Sequence, residues 1–385
     1  MKINIIGAGI SGLALGYFCK KKGHDVRIFE ASNKAGGIIA TEFMPEGMVQ
    51  HGPHLTRLNN TLEALLQELG IETVYSLTKK RYIANVHNGF NLRFPLTLSD
   101  ILKSVLLQFR ERKNSYTSLA DFVNHHYGEA FTQNLLQPII NGIYAVSSEE
   151  LNEEIAFKNI YFKEKRAIYF TLRVILQKLN SKSKEIITPK DGFQDLTEEL
   201  AYSLNKNISY NTKVDDISKL DGFNYITVPA FDVKNINGIL PDTHRILEDI
   251  VYSNLDVTTV FSSAPFIKGG IGILTNAKNG ILGVLFNSST FGFRTISKLH
   301  SYSIFSKNLT EEEVQNFCKN TLKVEVIKLY FKSYNKAVPI YNNTIKDFIN
   351  HNNNLKTNYK FFSNYTGEIS IGGIIEKAKE IAEKL

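Results

Sequence analysis

The sequence predicts a mixed α/β (α+β) chain. An N-terminal Rossmann-type domain would interleave with a second domain of antiparallel sheet plus helices. Three observations predict it. A G-x-G-x-x-G run at Gly7, Gly9 and Gly12 separates a short apolar strand from a helix. Glu30 ends the next strand, 18 residues past Gly12. A stretch rich in Gly and β-formers, 269–295, lies far from that unit and reads as antiparallel strands.

The elements follow in order. Residues 2–6 are an apolar run and read as a buried strand. Residues 11–22 read as a helix with Gly12, Ala14 and Gly16 on one face, and 26–29 as a second strand. Residues 61–69 form a helix closed by Gly70. Residues 80–86 read as a strand before a turn at Asn88-Gly89. From 98 to 127 the pattern is helical, with Ile101, Leu102, Val105, Leu106 and Phe109 on one face and Lys103, Arg110, Arg112 and Lys113 as charges. Residues 129–136 continue as a helix stopped near Pro138. Residues 191–204 read as a helix, and 208–210, 213–217 and 225–228 as strands. Thr310 and Glu313 make a capping box for a helix over 310–322. A strand over 324–331 and a helix over 369–385 complete the chain. No internal repeat or low-complexity linker interrupts it.

Composition bounds the class. The chain has 385 residues, 43% hydrophobic and 22% charged, as in an ordinary globular protein. A formal net charge of +7 favours anionic ligands or an anionic membrane surface. No Lys/Arg block or zinc-finger spacing points to nucleic acid. The two cysteines, Cys19 and Cys318, do not suggest a disulfide framework. His125-His126 is the only His pair, and adjacent helical residues diverge, so no metal site is expected. No apolar run reaches the roughly 18 residues of a membrane span. The first residues run straight into the glycine loop without a cleavage-type leader. A cytoplasmic protein is expected, with attachment at the inner membrane face through 98–137 and a homodimer left open.

The glycine motif carries the chemistry. Gly7 allows the tight turn, Gly9 lets a pyrophosphate approach the backbone, and Gly12 lets helix and strand pack closely. The helix start near Ser11 offers free N–H groups to an anion. Glu30, followed by Ala31, would accept hydrogen bonds from ribose hydroxyls and repel a 2′-phosphate. A second glycine pair, Gly36-Gly37, follows at once, and Gln50-His51-Gly52-Pro53 lies at a distance suited to a loop beside a flavin. That spacing favours FAD over NAD. No second dinucleotide fingerprint follows, so oxygen is the simplest acceptor to reoxidise the flavin.

With those residues in place, the chain resembles the flavin amine-oxidase superfamily, and within it the FAD-dependent protoporphyrinogen/coproporphyrinogen oxidases of haem synthesis. Ser118-Leu119-Ala120-Asp121-Phe122 and Pro138 through Gly142-Ile143-Tyr144-Ala145 resemble the family's "S-x-x-D-F … P-x-x-x-G-I-Y-A-G-D" pattern. Gly270 to Leu274 and Leu282 to Phe291 resemble its "G-x-L … L-G-x-x-x-x-S-x-x-F" strands. Ala337-Val338-Pro339-Ile340-Tyr341 is similar to its "A-I-P-Q-Y" stretch. Asp191-Gly192-Phe193 with Leu196 resembles the opening of the second FAD contact region. The chain departs from the pattern at Val146-Ser147, where the family has Gly-Asp, and at Glu368 and Gly373 near its end. It is also shorter than typical members, around 170–190 and 233–248.

The resemblance implies FAD contacts at Val214, beside the adenine, and at Ile369, Ser370 and Ile371. It implies a tetrapyrrole substrate with Arg81 facing a propionate and Phe286 and Phe291 walling an apolar slot. No acid–base residue is expected, because hydride transfer to a flavin needs none. The domains would divide as 1–75, 187–232 and 355–385 for FAD, and 76–186 and 233–354 for substrate. An amine oxidase, a polyene desaturase and a non-catalytic flavin or tetrapyrrole binder remain the competing readings.

Overall fold

The computed structural model describes residues 1–84, 95–156, 164–180, 185–266, 269–292, 294–295 and 298–385. The expected turn at Asn88-Gly89 lies outside them.

The opening strand, Lys2–Ile6, sits between Asp25–Phe29 and Phe223–Ile226, parallel to both. Ile208–Ser209 and Tyr359–Phe361 close the edges of this five-stranded sheet. Its central strand is apolar because both faces are covered. Ile3 and Ile5 join Leu13, Leu15, Phe193, Leu196 and Ile375 in one core cluster. Ile6 and Ile226 join Phe348, Phe361 and Tyr365 in another. The glycine helix, Ile10–Lys21, packs against the C-terminal helix, Ile371–Lys384. Gly16 keeps that helix close to the sheet: a Cβ there would lie 2.8 Å from Ile28 Cδ1.

The second sheet has six strands in the order Val326–Pro339, Tyr252–Ser262, His300–Ser306, Ile281–Leu285, Gly272–Thr275 and Arg81–Ala84. All pairs are antiparallel except the last, which is parallel. Two small sheets join the large ones: the hairpin Ala40–Met44 with Gly47–His51, and Thr56–Arg57, Ile186–Pro189 and Thr73–Tyr75.

Several elements differ from the sequence reading. The helical pattern over 98–127 is two helices, Leu98–Leu107 and Leu119–Tyr127. The second starts where the Ser118 side chain accepts from the Asp121 N–H, so S-x-x-D is here a helix start. Pro138 does not stop its helix. A wide π-helical turn, Thr132–Leu136, precedes it, and Pro138 sits in the first turn of Gln137–Tyr144, where a missing N–H costs little. The expected strand 213–217 is a turn, in which Asp216 accepts from the Ser218 N–H and hydroxyl. The stretch 269–295 supplies two strands, then a short helix, Asn287–Phe291, ended by Gly292 at φ 78°. The strand read at 324–331 runs on to Pro339, held in register by Tyr252–Ser262.

Candidate active site

The glycine loop leaves the sheet at Gly7, whose φ of 106° suits glycine and whose N–H donates to the Phe29 carbonyl at 2.8 Å. Gly12 lies over that turn: a Cβ there would stand 2.0 Å from the Gly7 oxygen. Gly9 is different. Its backbone is extended (φ −74°, ψ 178°), and a Cβ would meet nothing within 4 Å. Nothing in the fold itself requires glycine there, so the open side of Gly9 is room for a ligand. No side chain caps the helix that begins at this point, and Ser11 is buried in its first turn.

The second glycine pair closes on the first. The Gly36 N–H donates to the Ala8 carbonyl at 2.9 Å, and a Cβ on Gly37 would lie 3.4 Å from the Gly9 Cα. Gly36 and Gly37 take φ of 113° and 63°. Glu30 faces the same loop. Its carboxylate accepts from the Ala8 N–H at 2.7 Å and from the Ser32 N–H and hydroxyl at 2.9 and 2.8 Å. A carboxylate has about four acceptor sites, so a ribose hydroxyl still finds one. Ala31 is exposed beside it. An open glycine, uncapped N–H groups and a carboxylate with spare capacity fit the nucleotide half of FAD.

Gly52 and Pro53 continue this surface. A Cβ on Gly52 would lie 3.3 Å from the Ile38 oxygen, so the loop after strand Gly47–His51 rests on the second glycine segment. Behind it lies a buried polar pair that sequence reasoning missed, His54 and Arg294. The signal was available only in part, since Arg294 is the single charged residue between Lys278 and Lys298. Val214 is half-buried in coil and packs toward the core that contains Ile6 and Ile226. The Ser370 hydroxyl caps the C-terminal helix by accepting from the Gly373 N–H at 3.1 Å. Ile371 is buried in the cluster that holds Leu13, and half-buried Ile369 packs against the other.

The structure separates the two expected slot phenylalanines. Phe291 packs with Ile186, Ile271 and Leu285, next to Leu55 and Phe305. Phe286 turns to the other side of the six-stranded sheet, with its ring 5.4 Å from Phe266 and 6.0 Å from Tyr302. It is a core residue there. Arg81 is exposed at the start of its strand, in register with Gly272. Partial burial and the neighbouring Arg57 both lower its pKa. Arg57 is in register with Ile186, so both cations flank the cluster that holds Phe291. Among the described residues no group of His, Cys, Asp and Glu could hold a metal ion.

Residues 10–233 match the family model described as "Flavin containing amine oxidoreductase". Protoporphyrinogen oxidase 2 of Arabidopsis thaliana is 22% identical over 475 residues, which cover 99% of this chain and 93% of the relative. Coproporphyrinogen III oxidase of Staphylococcus aureus is 27% identical over 255 residues, 56% of this chain and 54% of the relative. Among solved structures, a reduced UDP-galactopyranose mutase superposes with a TM-score of 0.78 at 13% identity, covering 99% of this chain and 93% of the other. Cyclohexylamine oxidase from Brevibacterium oxydans gives 0.72 at 15% identity, covering 100% and 99%. Such neighbours differ in chemistry, so they speak for the fold alone. The family match, read with the glycine loop and Glu30, leads to one conclusion: the chain belongs to the flavin containing amine oxidoreductase family and is an FAD-dependent oxidoreductase.

Proposed function

We propose that this enzyme oxidises a porphyrinogen, either protoporphyrinogen IX or coproporphyrinogen III, to the porphyrin, with O2 as final acceptor. The carrying observation is the apolar cluster of Ile186, Ile271, Leu285 and Phe291 with Arg81 and Arg57 beside it. A porphyrinogen is a broad apolar ring with carboxylate arms, and it calls for such a pairing of apolar wall and cation. The protoporphyrinogen and coproporphyrinogen III oxidases among the relatives support the same substrate class. FAD, when bound, supplies the hydride acceptor for each two-electron step. The chain holds it and aims the substrate. In this reading Gly7, Gly9, Ser11 and Gly12 receive the pyrophosphate, and Glu30 and Ala31 the ribose. Val214 lies by the adenine. Gly36, Gly37, Gly52, Pro53 and the segment Ile369-Ser370-Ile371 border the flavin. The division into 1–75, 187–232 and 355–385 for FAD, and the remainder for substrate, belongs to the same proposal.

Arg81 supplies the test. Its guanidinium would make charge-assisted hydrogen bonds to a substrate carboxylate, each worth about 1.5–3 kcal/mol. Arg81→Ala should therefore raise KM roughly tenfold or more and leave the flavin spectrum unchanged. Steady-state porphyrin fluorescence measures this. An unaltered KM and turnover would remove Arg81 from the site.

The same proposal includes contact with a membrane surface. The helix Leu98–Leu107 exposes Leu98 (74%), Leu102 (59%) and Leu106 (71%), with Phe109 just beyond its end. The helix Ala167–Asn180 exposes Leu172, Ile175 and Leu176. The two segments join where the Ile168 N–H donates to the Gln108 carbonyl. Lys103 and Arg110, in the same segment, are also exposed. A patch of this kind with cations near it suits anionic lipid. Among the described residues no helix is long and apolar enough to cross a membrane. The protein should co-sediment with anionic vesicles at low salt, and Leu102→Glu with Leu106→Glu should abolish that. Equal sedimentation of the double variant would contradict it.

A further inference from the structure

Arg294 is 2% exposed, yet no carboxylate faces it among the described residues. Its Nη2 donates to the His54 carbonyl at 2.7 Å and to Thr188 Oγ1 at 2.8 Å, and its Nη1 donates to Asn287 Oδ1 at 3.4 Å. The guanidinium lies 4.7 Å over the Phe291 ring. Every one of these neighbours is neutral. The Nε–H is buried and makes no hydrogen bond. Burial pushes the pKa down to about 9, so the group stays a cation at neutral pH. An unpaired buried charge is expensive to keep.

His54 does not share that charge. Its Nδ1 lies 2.9 Å from the Gly52 carbonyl, which can only accept, so Nδ1 carries the proton. Its Nε2 is then a buried lone pair without a donor. Burial and the nearby Arg294 hold the ring neutral, with a pKa of about 3. The group around Arg294 therefore carries one positive charge, and none among the described residues balances it.

Its place in the fold says what could balance it. The His54 carbonyl that Arg294 holds belongs to the loop of Gly52 and Pro53. Gly52 rests on Ile38, two residues from Gly36, and Gly36 is bonded to Ala8 of the nucleotide loop. On the other side, Phe291 under the guanidinium belongs to the apolar cluster beside Arg81. Arg294 thus stands where the nucleotide loop and the apolar cluster meet.

We propose that Arg294 is a positioning residue of the flavin site: its buried charge offsets the negative charge the flavin gains on reduction, and its hydrogen bonds fix the Gly52–His54 loop. This rests on the reading that the flavin lies along that loop. With FAD bound, each step would break a substrate C–H bond, whose electron pair and hydrogen would pass to the flavin as hydride and leave its ring system singly negative, while the oxidised substrate cation would lose a proton to solvent. O2 would accept the two electrons, with that hydrogen and one proton from solvent, and leave as hydrogen peroxide. Arg294 keeps its proton throughout. Charge placed near a flavin is a recognised lever on its electronics.

The test uses the purified, FAD-loaded protein with Arg294→Gln and Arg294→Lys. Sulfite adds to oxidised flavin to give an anionic adduct, so its Kd reads the stabilisation of negative charge without any substrate. Arg294→Gln should weaken sulfite binding at least tenfold and lower the reduction potential, and Arg294→Lys should recover much of both. If Arg294→Gln does not fold, the lysine variant and the unaltered protein still decide: the unaltered protein should bind sulfite and reduce to the flavin anion at mildly acidic pH. A loaded, folded Arg294→Gln with unchanged sulfite Kd and potential overturns the proposal, as does an unaltered protein that shows neither property. A chain that takes up no FAD fails the functional reading itself, and the FAD spectrum distinguishes that outcome before sulfite is added.

Discussion

Gly9→Val should yield a folded protein that no longer holds FAD. The backbone at Gly9 is extended and open to any L-residue, and its Cβ would meet nothing within 4 Å. Valine is a poorer helix start than glycine, which costs about 1 kcal/mol. The same side chain would occupy the space a pyrophosphate needs beside Ala8 and the uncapped helix start. The FAD Kd should rise a hundredfold or more, about 2.7 kcal/mol. Melting curves give a clear readout. Added FAD should raise the Tm of the unaltered protein by mass action and leave that of Gly9→Val unmoved. A variant that still gains stability from FAD would show that Gly9 does not face the cofactor.

Gly12→Val should fail earlier, at folding. Its Cβ would stand 2.0 Å from the Gly7 oxygen and 2.8 Å from the Thr227 hydroxyl, which itself donates to the Ile6 and Gly7 carbonyls. The Gly7 oxygen belongs to the backbone turn and has no rotamer to escape into. Forcing the helix off the sheet at this point costs about 3 kcal/mol or more, a large part of a typical folding free energy. Denaturant titration of the FAD-free protein should show it. An unchanged midpoint would mean that the helix and turn are further apart than described. The two glycines of one motif thus separate: Gly12 serves the fold, and Gly9, in the proposed function, serves the ligand.

That separation also marks what the sequence could reveal. The β-α-β opening was legible because its determinants are local: an apolar strand, three glycines and an acid at the next strand's end. The helix 310–322 was legible for the same reason, since Thr310 and Glu313 form the expected capping box. Pro138 was misread because a π-helical turn at Thr132–Leu136 places it at a fresh helix start. Residues 213–217 read as a short strand, but Asp216 accepts from the Ser218 N–H and the segment turns. Phe286 and Phe291 fall on different sides of the sheet because the strand ends at Leu285, just before Phe286, and a short helix then carries Phe291. Arg294 was legible only in part, as the single charged residue between Lys278 and Lys298. Its burial depends on His54 and Thr188, far away in the chain, and no local pattern announces a charge that the fold encloses.

The central claim is an FAD-dependent oxidation of a porphyrinogen. The most direct measurement is to load the purified protein with FAD, confirm its visible spectrum, and add each porphyrinogen in air while following porphyrin fluorescence. A flavin spectrum and fluorescence growth well above the autoxidation blank are expected, with the faster porphyrinogen naming the substrate. A flavin spectrum with growth no faster than the blank for both porphyrinogens would contradict it. Turnover of amines or polyenes by that same flavoprotein would then identify the substrate class instead.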